Sequence, residues 1–232
     1  MDIIPAIIPQ DFQDLTDKMS MVHSLVPMVQ IDVVDGTYTP SRSWPYQNGA
    51  DIHFEEIKEE KKGMPFWQDL QFEVDLMIRY PERVWKDWIR AGATRLIIHL
   101  DSTDNIDEII DGFKEEVVAE YSFVYAQLGV AVGSTTDRQK ISDVAEKIDF
   151  IQCMGIEKIG FQGQLFDENI FDTIGYIRTH HPNTPITIDG GVNEDTITRL
   201  KDAGVERFAI GSALFESDNI EEEIEYLSSM IK

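Results

Sequence analysis

Cysteine is nearly absent, with Cys153 the single thiol in 232 residues. One thiol closes no internal disulfide and builds no Cys-rich zinc knuckle. The composition therefore suits a reducing compartment and a cytoplasmic location, with Cys153 as a small apolar strand residue. Basic charge is scarce as well: 20 Lys and Arg stand against 43 Asp and Glu, a formal net charge of −23. That balance argues against nucleic acid as a partner. It also repels anions at long range, so a phosphate site here needs directed backbone N–H groups instead of a basic surface. No apolar run approaches a membrane span. The start Met1-Asp2-Ile3-Ile4-Pro5 lacks a basic n-region and its apolar run is broken by Pro5 and Pro9, which speaks against a signal peptide. No lysine sits at a strand end, which disfavours a Schiff-base aldolase.

What is present is enough apolar surface, 42% of residues with 10% aromatics, for one domain of barrel size over residues 1–232. Apolar periodicity predicts strands at 3–8, 28–34, 70–77, 95–100, 123–132, 150–154, 185–189 and 207–210. Helical spacing fills the intervals at 11–25, from Pro81 through Ile89, and at 106–119, 137–148, 169–180 and 194–203, with a last helix at 220–231. The stretch 51–62 shows the acidic and basic alternation typical of a solvated helix face, with no tail or binding patch. Trp85 and Trp88 read as core. Eight strands alternating with helices predict a closed parallel (β/α)8 TIM barrel, whose site lies at the carboxyl ends of the strands.

Two of those strands end in Asp-Gly or close to it: Gln30-Ile31-Asp32-Val33-Val34-Asp35-Gly36 and Ile186-Thr187-Ile188-Asp189-Gly190-Gly191. Asp-Gly alone is a common turn dipeptide, but carboxylates at two strand ends can face one substrate. Asp32, Asp75, His99 and Asp189 all fall near such ends. Glycine-bearing stretches follow the late strands: Gly160 to Gln164, Asp189-Gly190-Gly191 and Gly211-Ser212-Ala213. Loops after strands seven and eight, with a short helix starting near Ser212, form a frequent phosphate cradle in such barrels. Gly160, Gly163, Gln164, Gly190, Gly191, Gly211 and Ser212 are its candidate residues.

From Pro5 to Phe215 the chain resembles the ribulose-phosphate 3-epimerases in motif order and spacing. The segments that carry the resemblance are Ile31 to Gly36, Val74-Asp75-Leu76-Met77 with Pro81-Glu82, Ala91-Gly92-Ala93, Gly160 to Gln164 with Phe166, Ile188 to Asn193, and Ile210 to Phe215. The resemblance implies a barrel of the ribulose-phosphate-binding type. It implies that Asp32 and Asp189 act as paired acid and base on opposite faces of a sugar carbon. It also implies a divalent metal, held by those aspartates and two histidines, beside an enediolate. Assembly into dimers or larger homo-oligomers belongs to the same expectation, although no stripe in the sequence fixes an interface. Inverting a carbon next to a carbonyl independently requires one proton carrier per face and a stabilised oxyanion.

The departures lie in that site. Gln30 and Asp75 stand where the family has its metal histidines, Ala6 replaces a serine, and Val34 replaces a methionine. Met77, Met154 and His99 match family residues. His99 is equally read as a hydrogen-bonded core histidine. The loop Glu157-Lys158-Ile159-Gly160 is longer than the usual pattern and lacks its proline. The run from Pro40 to Asp75 exceeds the usual length by roughly ten residues and can reshape the pocket mouth or an interface. Gln30, Asp32, Asp75 and Asp189 make a set of oxygen donors that favours magnesium, manganese, iron or calcium over zinc. Without a metal, crowding of carboxylates raises at least one pKa and leaves a protonated acid beside an ionised base.

Three functions stay open. The first is a 3-epimerase interconverting ribulose 5-phosphate and xylulose 5-phosphate. The second is a barrel that has lost turnover and binds phosphosugars. The third is an epimerase or isomerase for another small phosphorylated sugar.

Overall fold

The computed structural model describes residues 2–47, 49–117 and 125–232. Eight parallel strands close into a barrel in sequence order, β1 to β8. They are β1 Asp2–Ile7, β2 Met28–Val34, β3 Gln71–Met77, β4 Arg95–His99, β5 Gln127–Val132, β6 Phe150–Met154, β7 Ile186–Asp189 and β8 Arg207–Ile210. The helices are α1 Phe12–Val22, α2 Ile52–Lys58, α3 Trp85–Arg90, α4 Ile106–Val117, α5 Arg138–Val144, α6 Ile170–His180, α7 Ile197–Asp202, α8 Ser212–Phe215 and α9 Ile220–Met230. No described helix is long and apolar enough to cross a membrane.

Local chemistry sets the helix starts. Asp11 accepts from the N–H of Asp14, Asp51 from those of His53 and Phe54, and Asn219 from those of Glu221 and Glu222, each satisfying orphan donors of a first turn. Several ends differ from the periodicity. The helix predicted from 194 starts at Ile197, because Thr196 turns its hydroxyl to Gly191 O and takes the Asn193 N–H, closing the preceding turn. The stretch 51–62, read as carrying a solvated helix face, contains the short α2, whose other side buries Phe54 and Ile57, with Phe54 against Trp44 and Trp88. The predicted end of the fourth helix at 119 and the start of the fifth strand at 123 fall outside the described residues.

Two apolar regions result. Outward strand residues such as Ile31, Val74 and Ile188 pack with the helices, including Trp85 and Trp88, in one continuous shell. Inside the barrel, Ile97, Ala131, Phe150 and Met154 form a separate cluster. Strand pairing fixes the height of each inward residue: Gln30 pairs with Glu73, Asp32 with Asp75, Gln152 with Thr187, and Thr187 with Arg207. Inward residues stack in layers of four from alternate strands. Following the register round the barrel, the top layer holds Asp32, His99 and Met154. Beneath it lie Ala6, Asp75, Ala131 and Asp189, then Gln30, Ile97, Gln152 and Ala209. Ile4, Glu73, Gly129 and Thr187 follow, and Met28, Arg95, Phe150 and Arg207 form the floor.

The floor is charged. Glu73, fully buried, lies 2.8 Å from Arg95 Nε and 3.0 Å from Arg207 Nη1. The Arg95 guanidinium stacks over the Phe150 ring, 3.6 Å from its centroid. Gly129 leaves room for that ring, since a Cβ there would lie 2.3 Å from it.

Candidate active site

Asp32, Asp75 and Asp189 converge at the carboxyl ends of β2, β3 and β7, each offering an oxygen within 4.8 Å of the others, and all three are buried. Two amides and an imidazole tie them together. Gln30 Nε2 donates to Asp32 Oδ1 and to Asp189 Oδ2, at 2.8 Å each. Gln152 Nε2 donates to Asp75 Oδ2 at 3.0 Å and lies 3.4 Å from Asp189 Oδ2. His99 Nε2 lies 2.9 Å from Asp75 Oδ1, so His99 both fills the core and orients a site carboxylate. Tyr38 covers His99 at 5.5 Å between ring centroids, and burial pushes its phenol up to about 12.

Burial, with the Asp189 and Asp75 charges adding to it, holds Asp32 well above the ordinary carboxylate range. Burial and Asp75 raise Asp189 to about 7, against the lowering effect of the Gln30 hydrogen bond. Unfolded Asp titrates near ~3.9, so between that value and about 7 the fold binds more protons than the unfolded chain. This contribution to stability is complete below about pH 4 and is lost as pH rises through about 7. A gap of about three units corresponds to at most about 4 kcal/mol. In chelator-treated protein we expect Asp189→Asn to gain stability relative to wild type as pH rises from about 5 to about 8. A difference in Tm that stays constant with pH contradicts this.

Asp32 and Asp189 open into a cleft of about 580 Å³, and the same cleft is lined by Gly160, Gly163, Gln164, Gly190, Gly191, Gly211 and Ser212. The structure thus brings every sequence-predicted phosphate residue to one rim. Gln30 and Asp75 lie beneath it, fully buried. Among the described residues, the N–H groups of Gly190, Gly191, Gly211 and Ser212 donate to no backbone carbonyl, and no Lys or Arg lines the cleft. Gly190 and Gly191 need their glycines for φ values of +93° and +69°. Gly155, behind them, packs so closely that a Cβ would lie 2.2 Å from Gly190 O. Gly155→Ala is therefore expected to displace the Gly190 loop and weaken binding of a phosphate ester by about tenfold or more, measured by calorimetry; wild-type affinity would show that the loop does not hold the ester.

The long segment after β2 reshapes this mouth. Ser43 Oγ accepts from Val34 N and donates to Asp32 O, anchoring the loop behind the site. Farther out, Ser41 Oγ donates to Gly160 O at 2.7 Å, and a Cβ on Gly160 would meet Thr39 and Ser41. The β2 and β6 loops are thereby latched across the cleft.

The sequence does not single out Gln152, nor Gln162 within the stretch Gly160 to Gln164. Gln162 lines the cleft and donates to Ala6 O at 3.3 Å. The available signal for Gln152 is that it is the lone polar residue of the strand Phe150–Met154.

The carboxylate cluster could hold a hard divalent cation: three carboxylates converge, no cysteine is among them, and His99 and Gln152 brace Asp75. Gln30 fits as a fourth donor only with its amide turned, since its nitrogen now faces the carboxylates while Oε1 is buried without a partner.

Fold and site together define a (β/α)8 barrel with an acid cluster and a glycine-rimmed cleft at the carboxyl ends of its strands. The chain belongs to the Ribulose-phosphate 3 epimerase family, whose model matches residues 2–215. Similar curated proteins include the ribulose-phosphate 3-epimerase of Mycobacterium tuberculosis (strain ATCC 25618 / H37Rv), 26% identical over 94% of this chain and 87% of that protein. That of Aquifex aeolicus (strain VF5) is 23% identical over 99% and 96%. Among solved structures, KGPDC from Streptococcus mutans in complex with D-R5P superposes with TM-score 0.71 at 13% identity, covering 99% of this chain and 96% of that one. The 3-hexulose-6-phosphate synthase from Salmonella typhimurium gives 0.70 at 16%, covering 100% and 98%. These structural matches bear on the fold alone.

Proposed function

We propose that the protein is a 3-epimerase interconverting ribulose 5-phosphate and xylulose 5-phosphate, with Asp32 and Asp189 as its proton carriers. One observation carries the reading. Two carboxylates from β2 and β7, bridged by the single nitrogen of Gln30 and both held toward protonation, open into the cleft whose rim offers free N–H groups. With the phosphate on the rim, C3 of the sugar lies between the two acids. Starting with Asp32 protonated, ionised Asp189 removes the C3 proton and the C–H electron pair moves through C2 onto the carbonyl oxygen. Asp32 then delivers its proton to the other face as the pair returns, inverting C3 and exchanging the roles of the acids. An acid near 7 suits both roles at neutral pH. A hard divalent cation on Asp32, Asp75 and Asp189 would supply positive charge beside the developing oxyanion.

The test is 13C NMR of ribulose 5-phosphate incubated with the protein. Growth of xylulose 5-phosphate signals is expected. Thermal stabilisation by the sugar phosphate without any conversion is the result the binding-barrel reading requires, a reading favoured by the replacement of both family histidines by Gln30 and Asp75.

A further inference from the structure

Among the described residues, four buried oxygens beneath the acid cluster along the barrel axis have no hydrogen-bond partner: Gln30 Oε1, Gln152 Oε1, Glu73 Oε1 and Thr187 Oγ1. Their side chains are at most 1% exposed. They form two pairs in register, Gln30 with Glu73 across β2–β3 and Gln152 with Thr187 across β6–β7. In each pair an amide has its nitrogen up on the aspartates and its oxygen left over for the layer beneath. A buried acceptor without a donor is costly, so each pair asks what would satisfy it.

The two pairs differ in chemistry. Thr187 carries a hydroxyl, which has a proton to give, so the position paired with Gln152 holds a group able to act as a donor. Glu73 is ion-paired through Oε2 with Arg95 and Arg207 and offers Gln30 only another acceptor. Two unpartnered acceptors then stand at paired positions beneath the aspartates. Turning the Gln30 amide by 180° would exchange Oε1 for Nε2, so that this pair holds one donor and one acceptor in place of two acceptors. It also removes the donor that Asp32 and Asp189 now share and aims Oε1 at them, which only a cation can reward.

We propose that Gln30 is a two-position amide and Glu73 the positioning residue that receives it. Without a cation, Gln30 Nε2 bridges Asp32 and Asp189. With one, the amide turns, Oε1 joins the three carboxylates and Nε2 docks on Glu73, while Gln152 stays in place. This rests on the acid cluster holding a hard cation.

The test uses Mn2+ binding, followed by electron paramagnetic resonance of the free ion, and 15N NMR of side-chain amides titrated with Mg2+. Wild type is expected to bind Mn2+, and Mg2+ is expected to move strongly one Gln NH2 pair that is missing from Gln30→Met. Gln30→Met is expected to bind Mn2+ about tenfold more weakly, and Glu73→Gln to lose a similar factor. Should Glu73→Gln fail to fold, the wild-type amide shift still decides the matter. Mn2+ binding with an unmoved Gln30 amide, or with undiminished affinity in Gln30→Met, overturns the two-position amide while leaving the cation site standing. Absence of Mn2+ binding in folded wild type overturns both.

Discussion

Asp189→Asn and Asp32→Asn are each expected to lower kcat by about a thousandfold, the scale of a lost general acid or base. An amide can neither take the C3 proton nor return one. Both residues line the cleft and sit in one network through Gln30 Nε2, so the double variant is expected to be little worse than either single one. Asn keeps the side-chain volume, and the glycine rim is untouched. Affinity for a phosphate ester should therefore stay within roughly threefold. Turnover near wild type in either variant removes the two-acid scheme, whereas a matched loss of ester binding would point to a collapsed site instead of missing chemistry.

Glu73→Ala is expected to be the most damaging change to stability, roughly 3–5 kcal/mol. Glu73 is fully buried and paired with two guanidinium groups at 2.8 and 3.0 Å. Removing it leaves Arg95 and Arg207 facing each other in the barrel floor. Burial already pushes the Arg95 guanidinium down to about 10 with Glu73 present, and the Phe150 ring compensates only part of the loss. For a chain of this size the loss is a fall in Tm on the order of 10 °C. Lys86→Ala provides the contrast. Its bridge to Glu116 is short, 2.7 Å, but the two side chains are 47% and 39% exposed, and a change within about 0.5 kcal/mol is expected. A Tm for Glu73→Ala that matches Lys86→Ala would show that the floor charges are solvated in the folded protein.

These two residues also mark what could be read in the sequence. The barrel was legible because β-strands covered by helices keep an apolar outer face, as Phe72, Val74 and Leu76 do in β3. The alternating polar residues, Glu73 and Asp75, face the barrel axis, where water is excluded and each charge needs a partner. Spacing placed Asp32, Asp75 and Asp189 at strand ends, and the glycines showed where backbone N–H groups could be free. Gln152 was not legible in the same way. Its role comes from the register of β6 against β7 and from the height of Asp75 across the barrel, which are properties of closure. The orientation of Gln30 was hidden for the same reason: an amide reads equally as a ligand oxygen or a donor until its neighbours are fixed. In the segment 51–62 the charge alternation marked a solvated helix face but not the opposite side of α2, where Phe54 and Ile57 are buried and Phe54 meets Trp44 and Trp88.

The most direct test of the central claim is proton exchange at C3 of ribulose 5-phosphate in deuterium oxide, followed by NMR. It is run after chelation and again with added magnesium, manganese, iron or zinc. With Asp32 and Asp189 as carriers, deuterium is expected at C3 of both product and recovered substrate, with exchange lost in Asp189→Asn. Folded protein that exchanges nothing at C3 under any of these conditions would contradict the account.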